Sequence, residues 1–406
     1  MTVHRLFRLF VLVTLLPLLC YASEFCLQRS SEPFVFIGLG WALYFCLLSV
    51  WTRTWVRLIS GNLAAILLIF TVAEGFLAYP FSLSFNPDDS DSQASPTGSG
   101  SRQSGSYTFP FTYFMENYLL GYKPRDGITA TSKKTVEGQV IYDVVYTIDP
   151  QGFRISPGQA AQGAPSILFF GDSLTFGEGL NDSETFPFRV EADSNGKYKS
   201  CNFAFHGYGP HQMLAFLQNG LERKIIAHHP PVLAVYLTIA DHINRAAGRA
   251  AWDPMGPRYR LNDGTLQRIP WSSWKFLQVK IRRRMSRSNL WNRFIRVKRL
   301  AIPPNPVDKV RDLDLYIAEI AESQRILKDR YHCPLVVLFW WEGPDAENVQ
   351  ARLRGLGVRL IPIETIFPDF KTHSSNYLIP QDDHFNPLAA SRIAAYLLKE
   401  MPTLLL

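Results

Sequence analysis

The sequence predicts an α/β fold in which a parallel sheet is covered by helices on both faces, a three-layer α/β/α sandwich. Strand-like apolar runs alternate with longer helical patterns in the C-terminal part of the chain, which is typical of βαβ units. The run at 167–170 is apolar throughout, as expected of a strand buried on both faces. A turn of small residues follows that run directly, at the end of the strand where such sheets bind ligands.

A small sheet is expected before the core, and the core elements then follow in order. Residues 140–148 are rich in β-branched and aromatic side chains and precede Asp149-Pro150-Gln151-Gly152, which predicts a strand ending in a turn. The core strands are predicted at 167–170, 200–205, 232–237, 335–339 and 358–362. The helices are predicted at 210–227, at 308–330, in a shorter stretch after Pro344, and at 388–400.

The N-terminal part of the chain predicts a membrane anchor. The apolar segment at 9–22 is about fourteen residues long, which is short for a span and comparable to a signal-peptide core. The segments at 34–51 and 58–79 are each long enough to cross a bilayer. Arginines precede the first segment and separate the second from the third, so the positive-inside rule puts these arginines in the cytoplasm. We expect two or three transmembrane helices in residues 1–80, in the inner membrane, with the rest of the chain on the periplasmic side.

A linker, a large domain and an insertion are expected after this anchor. Residues 81–108 predict a flexible linker because they are rich in Asp, Ser and Gly and lack apolar periodicity. Residues 109–406 predict the extracytoplasmic domain. Within it, the segment at about 245–306 does not belong to a minimal α/β core. Its first half has a hairpin signal at Asp263-Gly264, and its second half is basic and aromatic with no acidic residue. This insertion could be a lid, a surface for anionic lipid or acidic polysaccharide, or a solvated basic face.

The composition argues against several classes of function. The formal net charge of +7 owes much to the insertion, and a domain that faces outward is not expected to bind nucleic acid. Of the five cysteines, only Cys201 and Cys333 lie outside the N-terminal region, and each opens a predicted strand, so buried free thiols are expected. No spacing of metal ligands is visible. We therefore predict neither a metal nor a cofactor.

Three residues could form a nucleophilic centre. Ser173 follows the strand at 167–170 and would stand at the top of the sheet, while Asp382 and His384 lie just before the last predicted helix. A serine hydroxyl needs a nearby base that a carboxylate holds in the right tautomer. Gly-Asp-Ser alone is ordinary turn chemistry, so the prediction depends on all three residues. We predict Ser173 as nucleophile, His384 as base and Asp382 as acid, with Asp383 a solvated neighbour.

These motifs resemble those of the SGNH, or GDSL-type, hydrolase superfamily, from about residue 166 to the C-terminus. Gly171-Asp172-Ser173-Leu174 is similar to the first block, and the segment from Asn202 to Gly207 to the second. Asp382-x-His384 is similar to the last block, with one residue between acid and base where the family commonly has two. The resemblance implies a flavodoxin-like sandwich and hydrolysis of esters. It also implies an oxyanion hole that includes the backbone N–H groups of Ser173 and Gly207.

The third block is the larger departure from the family. The family usually has Gly-x-Asn-Asp after the third strand, whereas here Ala240 falls where the oxyanion-hole asparagine would stand. Loss of one such donor typically lowers the rate by about two to three orders of magnitude, so a replacement is expected. His242 or Asn244 could supply it.

The sequence thus predicts a membrane-anchored bacterial-type serine ester hydrolase that acts on acyl esters, such as O-acetyl esters of cell-envelope glycans. Two alternatives stay open. If a sugar hydroxyl instead of water takes the acyl group, the protein is an O-acyltransferase on a polysaccharide. If Ala240 marks a lost activity, the protein is a non-catalytic glycan-binding or assembly protein. The expected partners are the ester substrate and the lipid bilayer.

Overall fold

The computed structural model describes residue 19 and residues 33–51, 55–78, 106–108, 113–250, 252–253, 255–270, 307–341 and 345–405. The chain divides into two units, each described here by itself. The first unit contains two helices, α1 (Pro33–Trp51) and α2 (Trp55–Ala78), which pack against each other. The second unit contains the sheets.

Both segments expected to span a membrane are helical, but they do not meet the requirement for a span. Within the described ranges, no helix combines the length with the apolar character that a bilayer crossing needs. The spans predicted for residues 1–80 are therefore not found there. The apolar segment at 9–22 lies outside the described residues except for Leu19.

The second unit begins with short strands that border the sheet core. A three-stranded antiparallel sheet has the order β1-β4-β5, and β2 pairs with β3. The bounds are β1 (Ser106–Thr108), β2 (Phe114–Asn117), β3 (Gly121–Pro124), β4 (Thr129–Val136) and β5 (Gln139–Thr147). The strand expected at 140–148 is confirmed as β5. The linker expected at 81–108 lies outside the described residues as far as residue 105, and its last three residues are β1 instead.

The three-stranded sheet alternates in burial, as a half-buried sheet must. On β4, Ala130, Ser132, Lys134 and Val136 are buried, and their neighbours are more exposed. On β5 the buried residues are Tyr142, Val144 and Tyr146. The inner face of this sheet therefore carries a lysine and two tyrosines among its apolar side chains.

The central sheet has five parallel strands in the order β12-β11-β8-β6-β7. These strands are β6 (Ser166–Phe170), β7 (Lys199–Asn202), β8 (Pro231–Thr238), β11 (Leu335–Phe339) and β12 (Arg359–Pro362). Every residue of β6 and β11 is buried, which fits a sheet covered on both faces. The predicted α/β class with a parallel sheet is confirmed.

Helices flank this sheet and in places differ from the predicted bounds. They are α3 (Ser173–Phe176), α4 (Phe186–Asp193), α5 (Pro210–Gln218), α6 (His242–Ala246), α7 (Lys309–Tyr331), α8 (Ala346–Gly355), α9 (Ile363–Ile366), α10 (Phe370–His373) and α11 (Pro387–Leu404). Helix α5 packs on α7, and α4 packs on α11. The helix expected at 210–227 ends at Gln218 because Gly220 takes a left-handed φ of 63°, which stops a helix.

The described part of the insertion contains the predicted hairpin. Strands β9 (Arg258–Asn262) and β10 (Thr265–Ile269) pair antiparallel around Asp263 and Gly264, both with positive φ. The basic half, residues 271–306, lies outside the described residues. Cys201 and Cys333 are buried free thiols, as expected.

Candidate active site

Ser173 stands where the turn after β6 opens into α3. Gly171 has a φ of 145°, and a Cβ there would lie 2.3 Å from Thr175 Oγ1, so the turn requires glycine. The Asp172 carboxylate accepts a hydrogen bond from the Leu174 N–H at 3.0 Å and caps α3. The sequence therefore fixes Ser173 as the first residue of a helix at the carboxyl end of a central strand.

The structure brings the three residues of the predicted nucleophilic centre together. Ser173 Oγ lies 2.8 Å from His384 Nε2. The other ring nitrogen, Nδ1, makes a short hydrogen bond to Asp382 Oδ1, and the His384 backbone N–H donates to the same oxygen at 2.8 Å. Hydroxyl, imidazole and carboxylate thus form one continuous chain of hydrogen bonds.

The loop that carries Asp382 and His384 is held by the start of α11. Asn386 caps this helix by accepting from the Ala389 N–H at 3.0 Å, and its own N–H donates to Tyr377 O at 2.9 Å. The Ile379 N–H donates to His384 O at 2.8 Å. These bonds fix the backbone on both sides of the imidazole.

Lys134 is an unpredicted partner of Asp382. Its ammonium lies 2.7 Å from Asp382 Oδ2 and 3.2 Å from Gln381 O, and the lysine and aspartate side chains are only 6% and 1% exposed. Burial alone would raise the pKa of Asp382. His384 and Lys134 more than offset this effect and hold that pKa well below its usual range. Asp382 is therefore ionised, and both of its oxygens are engaged.

Glu178 is a second unpredicted neighbour of the imidazole. Its Oε2 lies 3.6 Å from His384 Nε2 and 2.6 Å from His206 Nδ1. Burial alone would lower the pKa of His384, but the Glu178 and Asp382 carboxylates more than offset it and raise the pKa to about 9. Burial alone would likewise raise the pKa of Glu178, and the two imidazoles lower it instead.

Arg154 holds the loop that follows α3. Its buried guanidinium donates to Phe176 O at 2.8 Å, to Gly177 O at 2.6 Å and to Asp182 Oδ1 at 3.0 Å. It also lies over the Tyr146 ring at 4.5 Å. Arg154 thereby satisfies the last carbonyl of α3, Phe176 O, and that of its C-terminal cap, Gly177 O, which lack helical partners.

Gly207 lies in a crowded, left-handed turn. Its φ is 69°, and a Cβ there would lie 2.4 Å from Trp252 Nε1 and 2.9 Å from Tyr122 OH. The Trp252 indole N–H donates to Gly207 O at 3.3 Å. No larger side chain fits this position without moving these neighbours. Its place in an oxyanion hole, together with the Ser173 N–H, stays a prediction.

Both ring nitrogens of His242 are engaged by other residues in this structure, and its role as a third oxyanion donor stays a prediction. Its Nε2 lies 3.2 Å from Asp172 Oδ2, and its Nδ1 lies 2.6 Å from Tyr236 OH. Because a carboxylate only accepts, Nε2 donates to Asp172 and Nδ1 accepts from the Tyr236 hydroxyl. Burial keeps the pKa of His242 below its usual value, and both ring nitrogens are engaged by Asp172 and Tyr236.

Asn244, the other candidate for that donor, is held by its neighbours. Its amide nitrogen donates to Asp241 Oδ1 at 3.3 Å, and its amide oxygen accepts from Arg249 at 3.3 Å. The Ser173 and Gly207 backbone N–H groups therefore stay as the predicted donors.

Glu178, His206, Lys134 and Arg154 were missed by the sequence analysis. Glu178 carried a faint signal, because it is the one charged residue between the loop glycines Gly177 and Gly179. Lys134 carried none, because no strand was predicted at 129–136 and nothing in the sequence distinguishes it from the adjacent Lys133. In the described part of the chain, no group of three His, Cys, Asp or Glu residues is placed to hold a metal ion.

Comparison with known proteins leaves the family open. No family profile matches the chain, and no curated protein matches it. Among solved structures, TesA is 13% identical, with 59% of this chain and 99% of that chain covered and a TM-score of 0.35. The lipase Lip_vut3 from a goat rumen metagenome is 13% identical, with 58% and 97% covered and a TM-score of 0.32. The salicylyl-acyltransferase SsfX3 from a tetracycline biosynthetic pathway is 12% identical, with 67% and 60% covered and a TM-score of 0.33.

These identities and TM-scores are too low to assign the chain to a family. The fold and the site define the class of the protein, which is an α/β protein with a Ser-His-Asp hydrogen-bond chain at the carboxyl end of a parallel strand.

Proposed function

We propose that the protein is a serine ester hydrolase of the SGNH type, built on a flavodoxin-like three-layer sandwich. The observation that carries the proposal is the 2.8 Å separation of Ser173 Oγ and His384 Nε2, with Asp382 bonded to the far nitrogen of the same ring. With this arrangement His384 can take the proton of the Ser173 hydroxyl. Asp382 meanwhile holds the imidazole in the required tautomer and stabilises the imidazolium that forms.

The proposed reaction has two halves. In the first, Ser173 Oγ attacks the ester carbonyl carbon as its proton passes to His384 Nε2, and the oxyanion accepts hydrogen bonds from the Ser173 and Gly207 N–H groups. The tetrahedral adduct then collapses and expels the alcohol, which takes the proton from His384. In the second half, water attacks the acyl-serine with His384 again as base, and the acid product leaves with Ser173 restored.

The substrate of this proposal is an acyl ester, such as an O-acetyl group on a cell-envelope glycan. Its support is the pairing of the Ser173-His384-Asp382 centre with an N-terminal region whose sequence suggests a membrane anchor. Transfer of the acyl group to a sugar hydroxyl requires the same first half-reaction, so product analysis distinguishes the two outcomes. Mass spectrometry of reactions with an acetylated glycan detects either free acetate or an acetylated acceptor.

Labelling with a fluorophosphonate probe tests the serine chemistry directly. We expect wild type to be labelled and Ser173→Ala to be unlabelled, because only an activated serine reacts with the probe. The exposed Ser183, ten positions along the chain, provides the matched control, and Ser183→Ala should label like wild type. A folded wild type that takes no label would favour the non-catalytic alternative.

We also propose the location that the sequence indicates, with the domain held outside the cytoplasmic membrane. Its support comes from the sequence alone, in the apolar composition of 34–51 and 58–79 and the arginines between them. The finding that no described helix meets the requirement for a span stands against it. The test is protease treatment of intact spheroplasts that express the full chain. Digestion of the domain in intact spheroplasts supports the proposal, and digestion only after lysis opposes it.

A further inference from the structure

One carboxylate lies between two imidazoles beside the nucleophile. Glu178 Oε2 is 2.6 Å from His206 Nδ1 and 3.6 Å from His384 Nε2. The Glu178 side chain is 11% exposed, so water screens these contacts only weakly. Glu178 approaches His384 at Nε2, whereas Asp382 is bonded to Nδ1. The imidazole therefore has a carboxylate near each of its two nitrogens.

The loop that bears Glu178 is fixed on several sides. Arg154 binds the carbonyls of Phe176 and Gly177, immediately before it. The Gly179 N–H, immediately after it, donates to Tyr146 OH at 2.9 Å. The Glu178 side chain itself accepts from Tyr142 OH at 3.4 Å. This carboxylate is thus part of a built site and not a mobile surface group.

His206 orients Glu178 through a second chain of hydrogen bonds. An ionised carboxylate only accepts, so His206 Nδ1 donates to Glu178. His206 Nε2 lies 3.0 Å from Tyr113 OH and can accept from it. The order Tyr113, His206, Glu178 parallels the order Ser173, His384, Asp382, and the two chains meet where Glu178 approaches His384 Nε2.

We propose that Glu178 is a positioning residue that acts through His384, stabilising its imidazolium form from the Nε2 side and so setting the pH range in which His384 can serve as base. This inference rests on the proposed function, because its kinetic test measures ester turnover. The charged and titratable groups that bear on the ring come from five parts of the chain: Asp382 in its own loop, Glu178 after α3, Lys134 on β4 behind Asp382, Asp172 before Ser173, and His206 after β7.

Asp172 is itself paired with Arg245 at 2.9 Å, so three carboxylates face two cations, Lys134 and Arg245. This balance agrees with a pKa of His384 near 9 in spite of its burial. Below that pH the ring carries a proton at Nε2 and cannot accept the one from Ser173. We therefore expect kcat/KM to rise with pH up to about the pKa of His384 and to level off above it.

The pH dependence of kcat/KM for p-nitrophenyl acetate tests the proposal. Glu178→Gln keeps the shape and removes the charge, so the midpoint of the rise should fall by about one pH unit or more. Glu178→Asp keeps the charge, and its midpoint should stay closer to that of wild type. Asp383→Asn removes a carboxylate one residue from His384 in sequence, at an exposed position, and should leave the midpoint unchanged. Equal midpoints in wild type and a folded E178Q would overturn the proposal.

A second measurement does not depend on turnover. Nuclear magnetic resonance can follow the titration of the His384 imidazole in Ser173→Ala, with and without E178Q. In S173A we expect the titration midpoint of His384 to lie above that of an ordinary histidine. In S173A with E178Q we expect this midpoint to be lower than in S173A. An ordinary histidine midpoint in S173A itself overturns the proposal even if E178Q does not fold. If wild type cleaves no ester but E178Q still lowers the His384 midpoint in S173A, the proposed function fails and the role of Glu178 stands.

Discussion

The two oxygens of Asp382 have different partners. Oδ1 accepts from the ring and the backbone N–H of His384, and Oδ2 accepts from Lys134. Because a carboxylate satisfied in this way stays ionised, it accepts a hydrogen bond from Nδ1–H of His384 and leaves Nε2 facing Ser173. The adjacent Asp383 is exposed, although the two residues look alike in sequence.

The pair Asp382 and Asp383 therefore gives a sharp test of the acid. We expect Asp382→Asn to lower kcat/KM for p-nitrophenyl acetate by about 10⁴-fold, because an amide at this position favours the wrong tautomer of His384. Asp383→Asn should stay within a few-fold of wild type. If Asp383→Asn is the variant that loses activity, the acid has to be reassigned.

At the scale of single elements, the short helix α3 depends on its surroundings for order. Its four residues are too few for a helix to be stable alone, and its support is Asp172 before it and Arg154 after it. The same arginine fixes the start of the loop that bears Glu178. Arg154 thus helps to position both the nucleophile Ser173 and the carboxylate of Glu178.

Arg154→Lys should reveal this dependence. Lysine keeps the charge but cannot reproduce the fork that reaches three carbonyls and a carboxylate, so we expect the free energy of unfolding to fall by about 2–3 kcal/mol and kcat to fall with it. Urea denaturation and ester turnover measure the two effects. Arg223→Lys, at an exposed position, serves as the control and should change neither. Equal behaviour of the two variants would contradict the assigned role.

Patterns within one element were predictable, and contacts between distant elements were not. The buried runs at β6, β8 and β11 and the helix α7 were found from hydrophobic periodicity, which is a local property. Ser173, Asp382 and His384 were found because their turn and helix-start settings are also local. Lys134 is the counterexample, because only the pairing of β4 with β5 decides that it faces inward while Lys133 faces out.

At the scale of the whole second unit, an ion pair joins the three-stranded sheet to the loop before α11. Lys134 and Asp382 are far apart in sequence, and both are buried. Breaking a buried pair leaves the other charge uncompensated, which is costly in free energy. The ion pair therefore couples the stability of the three-stranded sheet to the geometry of the nucleophilic centre.

Replacing the two neighbouring lysines tests this coupling. We expect Lys134→Met to lower the free energy of unfolding by about 3 kcal/mol and to reduce turnover, because Asp382 then lacks a buried partner. Lys133→Met removes an exposed pair with Asp143 and should cost at most about 1 kcal/mol. Urea denaturation compares the two, and equal losses would show that the inward lysine has no special role.

The position of Lys134 also determines where the chain can be cut for biochemical work. Sequence motifs alone would suggest expressing a fragment that starts at the first central strand, near Ser166. Such a fragment would lack β4 and β5, and with them the lysine beside Asp382 and the two tyrosines around Glu178. The smallest portion able to keep the nucleophilic centre in this geometry begins before β4, some forty residues ahead of the motif that bears Ser173.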